Sequence, residues 1–310
     1  GSTFRAIKML NLKIKMTKCK PGTTIIDALT LCYVAEGALL NELREVTESI
    51  SYDKYIFYRV RGNAFNRQFA IYNAVTNDKI AVLSFDRYGD DEESHYVWLR
   101  ISNHILYNSD LLIDTLTIPV LLGLSFNNFT RLDLARDFGY DISQRVRALM
   151  RNSELDTIYN GKVVKDRRKL IKGIYRTCSI TLDRDGKKGI VLKQSKAVKN
   201  KYEGVIVAGY DKIEEIEGNK QNEIGLPEKS YIKNLYGNPK RLHRLEVRLN
   251  NPDIRRVCSA LQIKIEEDII FNESILDRIY IKGLWSVLRF RKGCRVIDWD
   301  DIFAYNGRYR

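Results

Sequence analysis

The strongest constraint on the fold is a series of short stretches in which apolar and polar residues alternate. Alternation with a period of two is typical of a β-strand with one buried face. In the first half of the chain these stretches are residues 54–60, 68–73, 79–85, 96–101 and 130–137. In the second half they are residues 177–183, 189–193, 204–211 and 242–249. Each half therefore reads as a run of antiparallel strands.

Helical patterns follow these runs. Residues 110–124 are apolar at helical spacing, and a second helix is predicted to begin at Asn251, a good N-cap residue, with Pro252 where a first turn tolerates proline. The sequence thus predicts an α+β fold of antiparallel sheets with packed helices. Two related sheet-and-helix halves are one form of this fold, although the two halves share no clear sequence identity.

Residues 272–292 carry apolar residues at helical spacing and end in Arg289, Arg291 and Lys292, just before Gly293. This pattern predicts an amphipathic helix whose last turn is basic, because cations complement the negative end of the helix dipole. Two interpretations stay open for this basic end. It either only stabilises a docked helix or also contacts DNA.

Composition excludes several classes of protein. The chain has 310 residues, of which 44% are hydrophobic, so we expect a packed core and about two compact units. Five cysteines lie far apart and only three histidines are present, which argues against a disulfide framework and against a histidine-rich metal site. The longest apolar stretch, residues 111–126, is interrupted by Asp114 and Pro119, so no membrane span is predicted. We expect a cytoplasmic protein.

Positive charge is concentrated in one segment. The formal net charge is +13, and residues 162–201 contain 14 basic residues but only three acidic ones. Such clustering favours contact with a nucleic-acid backbone, because each neutralised phosphate releases counterions. The alternatives are a solvated hairpin that keeps the protein soluble and, more weakly, a membrane-surface contact. The residues expected to contact nucleic acid are Lys187, Lys188, Lys193, Lys196, Lys199, Lys201, Arg244 and Arg248.

Two of the predicted strands are acidic. On a strand over residues 130–137, Asp133 and Asp137 share one face. The opposite face carries Leu132, Leu134 and Arg136. On the strand over residues 242–249, Glu246 lies between two arginines of the same face. Carboxylates that converge from neighbouring strands can hold Mg²⁺ or Mn²⁺ through oxygen ligands. The alternative is that these acids are salt-bridge partners.

A third feature is the apolar strand that ends in Tyr210, with Lys212 two residues further on. Alternation would place both side chains on one face. A phenol is a poor nucleophile near neutral pH, but a metal-bound phosphate and a nearby ammonium both favour the phenolate. The alternative is that Tyr210 only packs, as most of the 18 tyrosines are expected to do.

Residues 130–138, 210–215 and 245–249 resemble, in order and spacing, the core motifs of the Rep_trans family of rolling-circle replication initiators. The family contains plasmid initiators, replication relaxases of conjugative elements and filamentous-phage replication proteins. The resemblance covers about residues 111–261, with a looser similarity of layout on either side. It implies a relaxase-like α+β fold without the His-x-His motif.

The resemblance also implies an activity, in which a tyrosine nicks origin DNA, stays attached to the 5′ phosphate and leaves a 3′ hydroxyl. Tyr210 matches the nucleophile, and Asp133, Asp137 and Glu246 match the acids that hold one Mg²⁺ or Mn²⁺ ion. From its position, Lys212 would stabilise the transition state. One departure is the sequence Lys193-Gln194-Ser195-Lys196, where the family commonly has a Gly-Ser-Arg-type turn, and nearby Tyr202 is a second candidate nucleophile.

The expected organisation has three parts. Residues 1–128 form an N-terminal α+β half for DNA binding or structure, residues 129–262 a catalytic half, and residues 263–310 a helical segment for origin recognition or dimer contacts. The resemblance implies origin DNA, a second copy of the chain and a host helicase as partners, in a bacterial cytoplasm. A hydrolytic metal-dependent nuclease and a non-catalytic DNA- or RNA-binding protein are the alternative functions.

Overall fold

The structure is a computed structural model that describes residues 22–89, 95–166, 178–179, 189–194, 204–218 and 230–304. These residues form two compact units. The N-terminal unit contains the described parts of Ile26–Leu132 and of Lys220–Ile232. The C-terminal unit contains the described parts of Cys19–Ile25, Asp133–Asn219 and Lys233–Arg310. The described residues 263–304 therefore belong to the same compact unit as the acidic strands.

The N-terminal unit is built on an antiparallel sheet with the strand order β1-β6-β5-β4-β3-β2. Three short helices follow the sheet in sequence, and one helix lies between its first two strands. The elements are β1 (Thr24–Val34), α1 (Gly37–Glu45), β2 (Ser49–Tyr52), β3 (Tyr55–Val60), β4 (Phe65–Asn73), β5 (Lys79–Arg87), β6 (Tyr96–Ile101), α2 (Asn103–Leu106), α3 (Ser109–Thr115) and α4 (Thr117–Leu121).

The core of this unit lies on one face of the sheet. Four residues in register across β1, β6, β5 and β4 are completely or almost completely buried: Leu31, Leu99, Leu83 and Phe69. Because side chains alternate between the faces of a strand, their neighbours in sequence lie on the opposite face. That opposite face is half-exposed, since Tyr58 and Arg100 are exposed but the small side chains between them are buried.

The C-terminal unit contains the remaining elements, and its larger sheet has the order β10-β11-β12-β13-β7. A smaller sheet has the order β15-β14-β8-β9. The elements are β7 (Ser125–Phe138, in this unit from Asp133 onward), α5 (Ile142–Arg151), β8 (Asp156–Tyr159), β9 (Lys162–Val163), β10 (Cys178–Ser179), β11 (Ile190–Lys193), β12 (Ile206–Asp211), α6 (Lys212–Gly218), α7 (Ser230–Leu235), β13 (His243–Asn250), α8 (Asn251–Ala260), a 3₁₀ helix (Glu267–Phe271), α9 (Glu273–Val287), β14 (Leu288–Lys292), β15 (Arg295–Ile297) and α10 (Trp299–Ala304).

Two helices pack closely on one face of this larger sheet, and glycines permit the approach. A Cβ on Gly283 of α9 would lie 2.6 Å from the Val247 side chain, and one on Gly209 of β12 would lie 2.6 Å from Ser143 Oγ of α5. Tyr280 of α9 also donates a hydrogen bond to the Leu245 carbonyl. Side chains alternate along a strand, so the sequence neighbours of Gly209 and Val247 point to the opposite face of the sheet. The acidic residues lie on that face.

The α+β prediction is confirmed, and the predicted strands within the described residues are present. The helix predicted over residues 110–124 is interrupted at Leu116, giving α3 and α4. Pro119 is the physical reason, because it has no N–H to continue the hydrogen-bond series of the first helix. Of the strand predicted over residues 177–183, the structure describes only β10.

The helix predicted over residues 272–292 is too long. It ends at Val287, and Leu288–Lys292 is strand β14, which pairs with β8. Leu288 and Phe290 are buried there, which is the alternation of a strand. The predicted basic last turn is therefore wrong, and Arg291 instead forms an ion pair with Asp156.

Among the helices that the structure describes, we find none that is long and apolar enough to cross a membrane.

Candidate active site

The site is centred on a hydrogen bond between neighbouring strands. Tyr210 is the penultimate residue of β12, and its hydroxyl donates to Glu246 Oε2 of β13 at 3.0 Å. In the strand register, Tyr210 lies opposite Arg244 and Ala208 lies opposite Glu246, so the tyrosine reaches diagonally along the face. The Tyr210 ring is half-buried and the Glu246 side chain is almost fully buried.

The carboxylate of Glu246 is also bound by Arg248, two residues along the same strand. Arg248 Nε donates to Oε1 at 2.8 Å, and Nη2 donates to Oε2 at 3.2 Å. Burial alone lowers the pKa of Arg248, but the hydrogen bonds and charge of Glu246, with the charges of Asp133 and Tyr210, raise it overall. Arg248 is thus a permanent cation beside the tyrosine, and buried Asp133 lies close enough to act on it.

Lys212 supplies a second cation. The sequence pattern placed it on the tyrosine strand, but β12 ends at Asp211 and Lys212 is the first residue of α6. Asp211 accepts backbone hydrogen bonds from Ile213 and Glu214, which begins this helix immediately after the strand. The buried Lys212 Nζ is 5.6 Å from the centroid of the Tyr210 ring and 2.8 Å from Glu215 Oε2.

Asp137 and Arg244 form a separate pair. Arg244 Nε and Nη2 donate to the two oxygens of Asp137 at 2.7 and 2.6 Å, and neither side chain is exposed. The predicted contact of Arg244 with nucleic acid is therefore wrong for this structure, because the guanidinium faces Asp137 and is sealed from solvent. The resemblance implies that Asp137 is a metal ligand. In the structure both of its carboxylate oxygens instead accept hydrogen bonds from Arg244.

The three predicted metal ligands do not fit a shared divalent ion. Among the described residues, no group of three or more His, Cys, Asp or Glu side chains is arranged to hold one. Both oxygens of Glu246 accept hydrogen bonds from Arg248, and both oxygens of Asp137 accept them from Arg244. Arginine charge thus occupies the place where the sequence predicted metal charge.

The predicted basic contacts are only partly described. Lys193 is half-exposed at the end of β11. It lies opposite Ile206 of β12, which in turn lies opposite Arg248 of β13, so Lys193 and Arg248 are on the same face of the sheet. The remaining lysines of this prediction and the alternative nucleophile lie outside the described residues: Lys187, Lys188, Lys196, Lys199, Lys201 and Tyr202.

The structure therefore brings four of the predicted site residues together and separates one. Glu246, Arg248, Lys212 and Tyr210 form one cluster with Asp133 nearby, whereas Asp137 is held elsewhere by Arg244. Sequence reasoning missed that Glu246 bonds the tyrosine directly. The signal was present in the alternation of Arg244, Glu246 and Arg248, but it does not reveal which neighbouring strand faces them.

Comparisons with known proteins give little further support. No protein-family model matches the chain, and no curated protein matches it. One solved structure that does match is a rolling circle replication initiator protein from Geobacillus stearothermophilus. The match has 11% sequence identity and a TM-score of 0.40, and it covers 88% of this chain and 89% of that one. A likeness this weak carries no argument, so the function is argued from the site.

Proposed function

We propose that this protein nicks and rejoins DNA through a covalent intermediate on Tyr210. The observation that carries the proposal is the hydrogen bond from the Tyr210 hydroxyl to Glu246 Oε2. A nucleophilic hydroxyl needs a base in direct contact and positive charge nearby, and this tyrosine has both.

The reaction that we propose begins with attack of the Tyr210 oxygen on a phosphodiester phosphorus. The new O–P bond forms while Glu246 Oε2 accepts the phenolic proton and the bond from phosphorus to the 3′ oxygen breaks. The 3′ oxygen takes a proton from water, which leaves a free 3′ hydroxyl and a 5′-phosphotyrosyl link. Rejoining is the reverse, with Glu246 returning its proton.

Arg248 and Lys212 supply the electrostatic part of this reaction. Charge builds on the phenolic oxygen and on the phosphorus oxygens, and fixed cations stabilise it without reorganising. Arg248 contacts the same carboxylate as the tyrosine, and Lys212 lies next to the tyrosine ring. No step of this proposal passes through a metal ion, because the carboxylates present do not fit one.

The biological setting that we propose is initiation of rolling-circle replication at an origin hairpin in a bacterial cytoplasm. The resemblance at the three motifs supports it. A homodimer and a host helicase as partners belong to the same proposal. The genetic element would be a plasmid, a conjugative element or a phage.

Adduct trapping tests the proposal without knowledge of the origin. The protein is incubated with single-stranded DNA that carries a randomised stretch, labelled at either the 3′ or the 5′ end, and the products are separated on a denaturing gel. A 5′-phosphotyrosyl link retains the 3′-labelled strand on the protein and releases the 5′-labelled one. Mass spectrometry of the adduct then identifies the modified tyrosine.

Two variants make the outcome specific. Tyr210→Phe is expected to form no adduct, whereas Tyr202→Phe is expected to behave like the wild type. An adduct on Tyr202 would refute the assignment to Tyr210. Free 5′ phosphates without any adduct would indicate a hydrolytic nuclease, and binding without cleavage would indicate a non-catalytic protein.

A further inference from the structure

The half-exposed face of the N-terminal sheet carries an unusual set of side chains. This face is opposite the buried row that contains Leu31 and Phe69. The strand register defines two neighbouring rows across five strands. One row is Cys32, Trp98, Ser84, Gln68 and Val60, and the other is Thr30, Arg100, Val82, Ala70 and Tyr58.

Aromatic rings stand at both ends of this face. On β3 and β4, Tyr58 and Tyr72 meet edge to face with ring centroids 5.5 Å apart. On β6, Tyr96 and Trp98 have ring centroids 6.2 Å apart. Tyr58 is 43% exposed and Tyr96 is 45% exposed. Exposed aromatic rings grouped on one face are typical of a surface that binds another molecule.

Small residues form the floor between the two aromatic pairs. Ala70, Val82 and Ser84 are nearly buried, and Gln68 donates a hydrogen bond to Ser84 Oγ at 3.0 Å. Strands are about 4.8 Å apart, so β3 with Tyr58 lies about 14 Å from β6 and β4 with Tyr72 lies about 10 Å from β6. Phe65 of β4 also contacts the Trp98 ring, with ring centroids 5.1 Å apart. Small buried residues therefore lie between two groups of aromatic rings on this face.

The two rows of this face carry little charge. In the two rows the only charged residue is Arg100, which is exposed. The two rows contain no carboxylate, so a second copy of the chain bound face to face would bring no negative charge from these rows to Arg100. A phosphate backbone, in contrast, complements a lone arginine.

We infer that this face, defined by Tyr58, Tyr72, Tyr96, Trp98 and Arg100, binds single-stranded DNA by base stacking. Every base offers a π-face to an exposed ring, and stacking on protein aromatics is tolerant of sequence. Arg100 contacts the phosphates between the stacked bases. This inference rests on the proposed function for the choice of DNA, and it names where the strand is held rather than where it is cut.

Binding of labelled oligothymidylate, measured by fluorescence anisotropy, tests the inference in the full-length protein. Tyr58→Ala and Tyr96→Ala remove exposed rings and are each expected to weaken binding about 5- to 100-fold. The matched controls Tyr58→Phe and Tyr96→Phe keep the rings and are expected to bind within about twofold of the wild type. Thermal unfolding of each variant checks that the fold is intact.

Salt dependence gives a second, independent readout. Each phosphate contact on a single strand contributes about 0.7 to the slope of log affinity against log salt. Arg100→Gln is therefore expected to reduce that slope by about 0.7, whereas the tyrosine variants leave it unchanged. Quenching of Trp98 emission on binding is also expected and should be absent from Trp98→Phe.

Either of two binding results, or a change of oligomeric state, would overturn the inference. One is unchanged affinity of both alanine variants, and the other is an equal loss in the alanine and phenylalanine variants. A shift from dimer to monomer in the alanine variants without DNA would assign the face to self-association instead. Tyr210→Phe separates the two proposals, because it should bind oligothymidylate normally while forming no adduct. If the alanine variants form the adduct normally and bind oligothymidylate like the wild type, the stacking face is refuted while the proposal for Tyr210 stands.

Discussion

Glu246 accepts a hydrogen bond from the Tyr210 hydroxyl on the same oxygen that Arg248 Nη2 contacts. One carboxylate therefore joins a nucleophile to a cation. This arrangement can take a proton from the phenol and at the same time hold positive charge next to the oxygen that reacts.

Replacing Glu246 with glutamine should reveal its role as a base. Glu246→Gln keeps the size of the side chain but cannot accept the proton, so single-turnover adduct formation should slow by about 10²- to 10⁴-fold with DNA affinity retained. Glu217→Gln is the matched control. Glu217 is exposed, and in the described part of this unit it forms an ion pair with Lys233. Equal rates for both variants would contradict the role of Glu246.

Divalent metal should not be needed to stabilise this site. A ligand that binds only the folded state raises the melting temperature by mass action, but the oxygens of Glu246 and Asp137 already accept hydrogen bonds from arginines. We expect thermal unfolding to be the same with MnCl₂ or with a chelator, and adduct formation to persist in the chelator. A rise in melting temperature with Mn²⁺ that disappears in Asp133→Asn would restore the metal site.

The pair of Asp137 and Arg244 should behave as a buried structural ion pair. Removing either partner leaves an uncompensated charge in a dry interior, so Asp137→Leu or Arg244→Met should each cost about 3–5 kcal/mol in the free energy of unfolding. The double variant Asp137→Leu/Arg244→Met should recover most of that loss, as measured by urea denaturation. A stable Arg244→Met protein that loses DNA affinity would instead return Arg244 to the DNA interface.

Local patterns in the sequence predicted most strands because alternation reports directly on which face is buried. On β7, the pattern separates Asp137 from Arg136 correctly, and the structure places these neighbours on opposite faces. Alternation does not report which distant residue each side chain meets. Arg244 lies 107 positions from Asp137, so a buried ion pair and a metal ligand look the same in sequence.

The boundary between α9 and β14 shows a second limit. Leu284 and Leu288 fit helical spacing, while Leu288 and Phe290 fit strand spacing, so the same residues satisfy both patterns. The choice is made by β8, which pairs with residues 288–291 from far along the chain. Strand β1 was missed for a related reason, since its alternation is broken by the adjacent residues Ile25, Ile26 and Asp27.

Arg136 should stabilise the C-terminal unit through several partners at once. Its guanidinium binds Asp277 and Asp300 and lies over the rings of Tyr280 and Phe303 at 5.1 and 4.9 Å. Both aspartates are partly exposed and can be rehydrated, so Arg136→Met should cost about 1–3 kcal/mol rather than the full penalty of a buried charge.

Arg295 offers a matched control for Arg136. It is 85% exposed, and its contact with Asp301 is 3.9 Å long. Arg295→Ala should therefore change the free energy of unfolding by less than about 0.5 kcal/mol. Equal effects in urea denaturation would show that the Arg136 contacts contribute nothing beyond a surface charge.

Acidification should destabilise the N-terminal unit through His104. Burial lowers the pKa of His104 more than the nearby charge of Asp78 raises it, and its Nε2 is a buried atom. The unfolded chain therefore takes up a proton at a higher pH than the folded chain does. Stability is fully present above the ordinary pKa of histidine and is lost as the pH falls through that value towards the folded-state pKa. Urea denaturation between about pH 7.5 and about pH 5 should show this loss, and His104→Gln should reduce its slope. His95 is exposed, so His95→Gln should leave the slope as in the wild type, and a wild-type slope in His104→Gln would contradict this assignment.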